Sequence, residues 1–184
     1  MPKLKTCKSC KAKFEPAKPL QSVCNPKCAF DHAQNLKAKR AQDTAKKERK
    51  ELRKALDAIK PRVIWMREAQ AAFNAYIRAR DADLPCISCG QHRNSYDAGH
   101  YRTTAAAPEL RFNEVNVHKQ CVQCNQHLHG NLIEYRIGLV SRIGTDMAEW
   151  LEGKHDPKHY TVDDLKSIKE LYKFKLKELK RTII

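Results

Sequence analysis

The chain has 184 residues, 31% charged and 41% hydrophobic, with 36 Lys and Arg against 21 Asp and Glu for a formal net charge of +15. No run approaches the roughly 18 apolar residues of a membrane span, and the opening Met1-Pro2-Lys3-Leu4-Lys5 lacks the apolar stretch of a signal peptide. Membrane and secreted classes are therefore excluded on this reading. The chain is expected inside the cell, where thiols stay reduced, so its eight Cys read as metal ligands and not as disulfides.

The charge is concentrated at one end. Residues 1–60 hold 17 basic and 6 acidic groups, a net +11. Such an excess binds phosphate backbones through counterion release, without sequence information. Nucleic acid is the expected partner, and a membrane is not.

The cysteines fall in four pairs: Cys7/Cys10, Cys24/Cys28, Cys86/Cys89 and Cys121/Cys124. A C-x2-C turn presents two thiolates to one tetrahedral zinc, and a second pair completes the site. Two structural Zn²⁺ sites follow, one per set of four. In the first, Cys7 and Cys10 sit on a knuckle followed by a short hairpin around Phe14. Cys24 and Cys28 open a helix with Pro26 in its first turn. Residues 1–30 thus read as a treble-clef-like finger that needs its metal to fold.

Residues 29–60 are rich in Ala, Lys, Arg, Glu and Leu and contain no Gly or Pro, which predicts one long helix. Leu36, Leu52, Leu56 and Ile59 are its few large apolar residues, so it is polar nearly all round. Segment 31–60 reads as a basic arm, a duplex-binding or spacer element. After Pro61, Val63, Ile64, Met66, Ala69, Ala72, Phe73, Tyr76 and Ile77 recur at helical spacing.

Residues 86–131 carry the chemistry. A short strand is predicted over Ser95–Tyr101 and a second over Glu114–His118. Cys121-Val122-Gln123-Cys124 then turns into a helix bearing Asn125, His127 and His129. Asn125 and His129 are four residues apart, so on a helix they face one way. Further on, Leu132, Ile133, Ile137, Val140 and Ile143 form an apolar set ended by Gly144. Thr161 and Asp164 mark the start of a last helix carrying Leu165, Ile168, Tyr172, Leu176 and Leu179.

This order of strand, loop, strand and helix, with a His ending the first strand, resembles an HNH nuclease, the ββα-metal module. His100 matches the first motif position, Asn116 follows 16 residues later, and Asn125 lies nine residues beyond that. The resemblance implies that His100 is the general base and that Asn116 holds the loop or the imidazole. It implies one catalytic divalent ion, Mg²⁺ or Mn²⁺, on Asn125 and His129 with Asp97 as a further ligand. Many HNH proteins carry His or Asp just before the base, where this chain has Gly99.

Over the whole chain, the Cys finger, the basic helix, Ala98-Gly99-His100-Tyr101 and the run from Leu110 to Asn125 are similar to the lambdoid phage NinG (Rap) family. That similarity implies a recombination endonuclease acting on branched DNA, such as Holliday junctions and D-loops, in the host cytoplasm. A homodimer would suit symmetric cutting of a four-way junction. The expected fold is mainly α with small β. It divides into the finger (1–30), the arm (31–60), the HNH module with flanking helices (61–153) and a C-terminal helix (154–184). The competing reading is a non-catalytic zinc DNA-binding protein with a degenerate HNH fold.

Overall fold

The computed structural model describes residues 4–182. The start Met1-Pro2-Lys3, read above for its lack of a leader, lies outside the described residues, as do Ile183 and Ile184. The chain is mainly helical, with two small antiparallel sheets, and divides into units 1–60 and 61–184. Among the described residues no helix is long and apolar enough to cross a membrane.

In the first unit, β1 (Lys5–Thr6) pairs with β2 (Lys13–Phe14), Lys5 opposite Phe14 and Thr6 opposite Lys13. The Cys7–Cys10 knuckle is the connection of this hairpin, so the hairpin flanks the knuckle and does not follow it. Lys11 takes a left-handed backbone (φ 63°) and closes it by donating to the Cys7 carbonyl at 3.0 Å. Helix α1 (Pro26–Ile59) starts where Asn25 Oδ1 accepts from the Cys28 amide at 2.7 Å, with Pro26 in the first turn. At 34 residues it runs about 50 Å. Cys28 is its one buried residue, and Leu52, Leu56 and Ile59 all face solvent.

The second unit is built on α2 (Arg62–Arg80), β3 (Tyr96–His100), β4 (Val117–Cys121), α3 (Leu132–Ile143), α4 (Thr145–Glu152) and α5 (Val162–Thr182). Helix α2 buries Trp65, Ala69, Phe73 and Ile77, a strict i, i+4 stripe. It packs on Leu165, Ile168 and Tyr172 of α5 and on Ala98 and Val117 of the β3–β4 sheet. Phe73 meets Tyr172 and Phe112 edge-on, with ring centres 4.7 and 5.7 Å apart. The C-terminal helix, set apart above as its own segment, thus packs within the unit that holds the sheet. A second core joins Tyr135 and Leu139 of α3 to Ala148 and Leu151 of α4, with Ile87, Ala107 and Leu110 from the loops. The sheet packs on α2 through Ala98 and Val117, and from α3 the Tyr135 side chain reaches the Gly99 carbonyl.

Several expectations shift. The second strand runs Val117–Cys121, three residues later than Glu114–His118, because Asn113 holds a turn there. Its Oδ1 accepts from the Val115 amide at 2.9 Å and its carbonyl from the Asn116 amide at 3.2 Å. Trp65, absent from the predicted stripe of α2, is buried, while Val63 is exposed. On α3 only part of the predicted apolar set packs inward: Val140 and Ile143 lie against the core, whereas Ile133 and Ile137 are 79% and 63% exposed, and Tyr135 and Leu139 are the buried residues. Hydrogen bonding decides this: Tyr135 Oη donates to the Gly99 carbonyl at 2.8 Å. Gly138 lies so close to the Ile87 carbonyl that any Cβ there would collide with it. The Thr161 cap forms as expected, its hydroxyl accepting from the Asp164 amide while Asp164 Oδ2 accepts from the Thr161 amide.

One buried carboxylate joins the parts. Asp81, just beyond α2, accepts two bonds from Arg80 at 2.7 and 2.9 Å and one from the Lys119 amide of β4 at 2.9 Å, with Arg142 of α3 at 3.8 Å. Burial alone would raise its pKa, but the Arg80 and Lys119 hydrogen bonds hold it below the ordinary carboxylate value.

Phe73 has no exposed surface and sits where α2, α5 and the sheet meet. Phe73→Ala should cost the second unit about 3–5 kcal/mol, read as a lower urea midpoint at unchanged slope.

Candidate metal centres and cleft

Both sets of four cysteines close up in space. In each set the four sulfurs lie within 4.8 Å of one another. A tetrahedral zinc with 2.3 Å bonds needs sulfurs about 3.8 Å apart. The Cys10–Cys24, Cys24–Cys28 and Cys89–Cys121 separations are 3.6, 3.5 and 3.9 Å, far beyond a disulfide bond. Backbone amides point at the sulfurs: Cys24 N–H at Cys7 Sγ (3.4 Å) and Cys121 N–H at Cys86 Sγ (3.3 Å). Burial raises the Cys7 thiol, but amides of Cys10, Cys24 and Ser9 override it and bring it to about 6. Cys86 reaches about 7 by the same balance, with amides of Cys121, Cys89 and Ser88. Cys24 is pushed up to about 12, chiefly by the Cys28 sulfur, and Cys124 to about 12, chiefly by burial. Four thiolates this close repel one another unless a cation sits among them. The sulfur spacing and the donor chemistry fit zinc, so both tetrads could hold it.

The second tetrad fixes the neighbourhood of His100. Cys86 and Cys89 precede β3, Cys121 ends β4, and Cys124 lies in the turn that carries Asn125. Asn131 Nδ2 reaches Cys124 Sγ at 3.7 Å. Beyond it a cleft of about 250 Å³ is lined by His100, Asn125 and His129 with Thr103, Thr104 and Gly130.

His100 ends β3 and is half-buried. Its Nε2 lies 3.0 Å from the Arg111 carbonyl. A carbonyl only accepts, so Nε2 carries the ring proton and Nδ1 keeps the lone pair. Burial lowers its pKa below the ordinary 6.5, against the Arg111 carbonyl and with the Arg111 charge. The imidazole is thus neutral at pH 7, with one basic nitrogen.

Asn116 has no exposed surface. It holds the loop, not the imidazole. Its Oδ1 accepts from the Arg102 amide at 2.8 Å, and its Nδ2 donates to the carbonyls of Arg102 (3.0 Å) and Leu110 (3.2 Å). Its own carbonyl accepts from the Tyr101 amide at 2.8 Å. One side chain therefore latches both ends of the connection between β3 and the turn that supplies the Arg111 carbonyl.

The predicted helix after Cys124 is a correction. Residues Gln123–His127 make a single π turn, and the chain then reverses through His129 (φ 49°), Gly130 (φ 92°) and Asn131 (φ 42°). Asn125 and His129 therefore do not share a regular helix face, although both still line the cleft. His127 lines a separate hollow with Arg93 and Ser95. Asp97 sits beside Asn125: its Oδ2 accepts from Asn125 Nδ2 and from Gln126 Nε2, both at 2.8 Å. That pair offers hard oxygen donors suited to Mg²⁺ or Mn²⁺. Among the described residues, only the two tetrads gather three or more His, Cys, Asp or Glu side chains within ligand reach.

The sequence left out three residues that shape this site. The Arg111 carbonyl orients His100, Tyr135 ties down the Gly99 carbonyl, and Gln120 fills the space beside Gly99. None of the three carried a sequence signal; Gln120 lies in β4, whose five residues Val-His-Lys-Gln-Cys are all buried in the structure.

The purified chain should carry two zinc equivalents by atomic absorption. Cys121→Ser should leave one and unfold the second unit, lost as near-ultraviolet circular dichroism. Asn116→Ala should cost about 3 kcal/mol or more, because three buried backbone groups lose their partner; faster proteolysis between Arg102 and Arg111 would report it.

The family described as Bacteriophage Lambda NinG protein matches residues 1–182. Protein ninG of Escherichia phage lambda is 46% identical over 197 aligned positions, covering 98% of this chain and 96% of that protein. Protein ninG of Escherichia phage 933W is 45% identical over 195 positions with the same coverage, and that of Salmonella phage P22 is 45% identical over 190, covering 95% and 93%. No solved structure matches. A match along nearly the whole length, tetrads and cleft included, means that the chain belongs to the NinG family of lambdoid phages.

Proposed function

We propose that this protein is a metal-dependent endonuclease of the HNH type that cuts branched DNA. The observation that carries the reading is the His100 imidazole, held by the Arg111 carbonyl with Nδ1 free at a cleft that Asn125 and His129 also line. The arrangement of β3, the latched loop, β4 and the Cys121–Asn125 turn supports the HNH assignment.

His100 Nδ1 takes a proton from the water that attacks the scissile phosphorus. Asn116 keeps the loop fixed, so the ring meets the phosphate in one orientation. Asn125 and Asp97, with His129 across the turn, would hold the divalent ion. When bound, the ion neutralises charge on the phosphate and on the leaving oxygen. The P–O3′ bond breaks, leaving 5′-phosphate and 3′-hydroxyl ends. The net +11 of residues 1–60 supplies a sequence-independent grip on the backbone. Branched recombination intermediates are the substrate that the family resemblance suggests. Symmetric cutting of a four-way junction needs two cleavage centres, so the reading carries a homodimer in the host cytoplasm.

One observation favours a second reading, a non-catalytic zinc DNA-binding protein: no third cluster of His, Cys, Asp or Glu ligands stands beside the two tetrads among the described residues.

Cleavage of a labelled four-way junction beside a matched linear duplex, with Mg²⁺, Mn²⁺ or EDTA, separates the two. The nuclease should cut the junction preferentially and only with metal. His100→Ala should lose about 10²–10⁴-fold in rate while junction binding persists. Binding without cutting under every metal would establish the second reading. The lowered His100 pKa sets the pH profile. The base is already neutral above its ordinary 6.5, so the single-turnover rate should level off at neutral pH and fall only under acid conditions. A rise continuing above pH 8 would remove His100 from the role.

A further inference from the structure

The amide of Gln120 is held in an unusual way. The residue has no exposed surface. Its Nε2 donates to Ser88 Oγ at 2.7 Å and to the Gly130 carbonyl at 2.6 Å. A carbonyl cannot donate, so the nitrogen must face Gly130 and the oxygen must point away. That oxygen, Oε1, is buried and has no hydrogen-bond partner among the described residues. It points at Gly99, where a Cβ on the glycine would overlap it. Gly99 is bare because Gln120 occupies its side-chain space.

Asp97 stands directly across the sheet from Gln120 in the strand register, so the two side chains share a face. Both hydrogen bonds to Asp97 fall on Oδ2, and Asn125 uses its nitrogen there, which keeps its Oδ1 for another partner. Gly130, which anchors the Gln120 nitrogen, lines the cleft together with Asn125 and His100. The Gln120 amide therefore passes under Gly99, immediately before the proposed base, to a wall of the same cleft.

We propose that Gln120 Oε1 is a further ligand of the divalent ion, adding an amide oxygen to Asp97, the Asn125 amide oxygen and His129. The proposal rests on the endonuclease reading for the ion but not for the geometry. Hard oxygen donors of this kind select Mg²⁺ or Mn²⁺ over softer metals. A cation also gives the buried carbonyl the partner that it lacks among the described residues.

The test is ion binding, apart from cleavage. The zinc-loaded full chain is titrated with Mn²⁺, and free Mn²⁺ is read by electron paramagnetic resonance. Wild type should bind one Mn²⁺, and Gln120→Met, which keeps the length but removes the oxygen, should bind it at least about 10-fold more weakly. If that variant fails to fold, Gly99→Ala, which displaces the oxygen without removing it, should give the same loss. A structural role could also weaken binding, so a second readout is needed. The Gln120 Cδ carbon resonance of wild type should move on adding Mg²⁺. An unmoved Cδ carbon, or unchanged affinity in Gln120→Met, overturns the proposal. If Asp97→Asn abolishes Mn²⁺ binding while Gln120→Met keeps it, the ion reading stands and Gln120 is only a packing residue. If wild type binds no Mn²⁺, the ion reading and this proposal fall together.

Discussion

The second cysteine tetrad is the constraint on which the second unit depends. It gathers the segment before β3, the end of β4 and the turn after it within 4.8 Å. A two-stranded sheet alone is marginally stable in water. Here the sulfur cluster clamps one end of the hairpin, so the register that sets His100 opposite Val117 and Asp97 opposite Gln120 does not rest on ladder hydrogen bonds alone. A slip of one residue would turn His100 and Asp97 to the wrong faces. The same cluster holds Asn125 one residue from a ligand sulfur, within reach of Asp97.

The far end of the hairpin is secured by buried polar groups. Asn116 satisfies three backbone groups of the loop, and Asp81 gathers Arg80, the Lys119 amide and Arg142. Each is a high-stakes arrangement, since a partly satisfied buried network costs more than an apolar one. What such groups add is orientation: Asn116 ties the loop at Arg102 and Leu110, and the Arg111 carbonyl within it fixes which nitrogen of His100 carries the proton. The apolar cores of Phe73 and Tyr135 support the sheet without selecting a tautomer.

Much of this was legible from spacing. The cysteine pairs are short-range motifs, and each set of four met as its spacing required. The polar periodicity of residues 29–60 foretold a long helix with almost nothing buried. His100, Asn125 and His129 do share a cleft, and Asn116 does hold a loop. The failures have a common cause. Leu132, Ile133 and Ile137 look like a core face, but the rotation of α3 is set by the Tyr135 hydroxyl reaching the Gly99 carbonyl and by Gly138 lying against the Ile87 carbonyl. These are tertiary contacts that a hydropathy pattern does not contain. The second strand was misplaced because Asn113 turns the chain through a side-chain bond that overrides the β-branched Val115. Gln120 escaped notice because a polar residue in a strand reads as solvent-facing, whereas both faces of β4 are covered.

The two units divide the physical tasks that the proposed activity needs. The first is charge on a long, almost wholly exposed helix and a metal-sized sulfur cluster. Long-range attraction to a phosphate backbone asks for little more, because counterion release needs charge density and not side-chain orientation. The second unit carries the opposite specialisation. Its polar groups are buried, paired and aimed, and the one conspicuous exception near the cleft is an amide oxygen directed at a glycine. Affinity without geometry in one unit and geometry in the other would let the chain hold many DNA shapes while presenting a single chemical centre. On that view, discrimination between branched and linear DNA resides in which backbone path can reach the His100 cleft, and not in any base contact made by the basic helix.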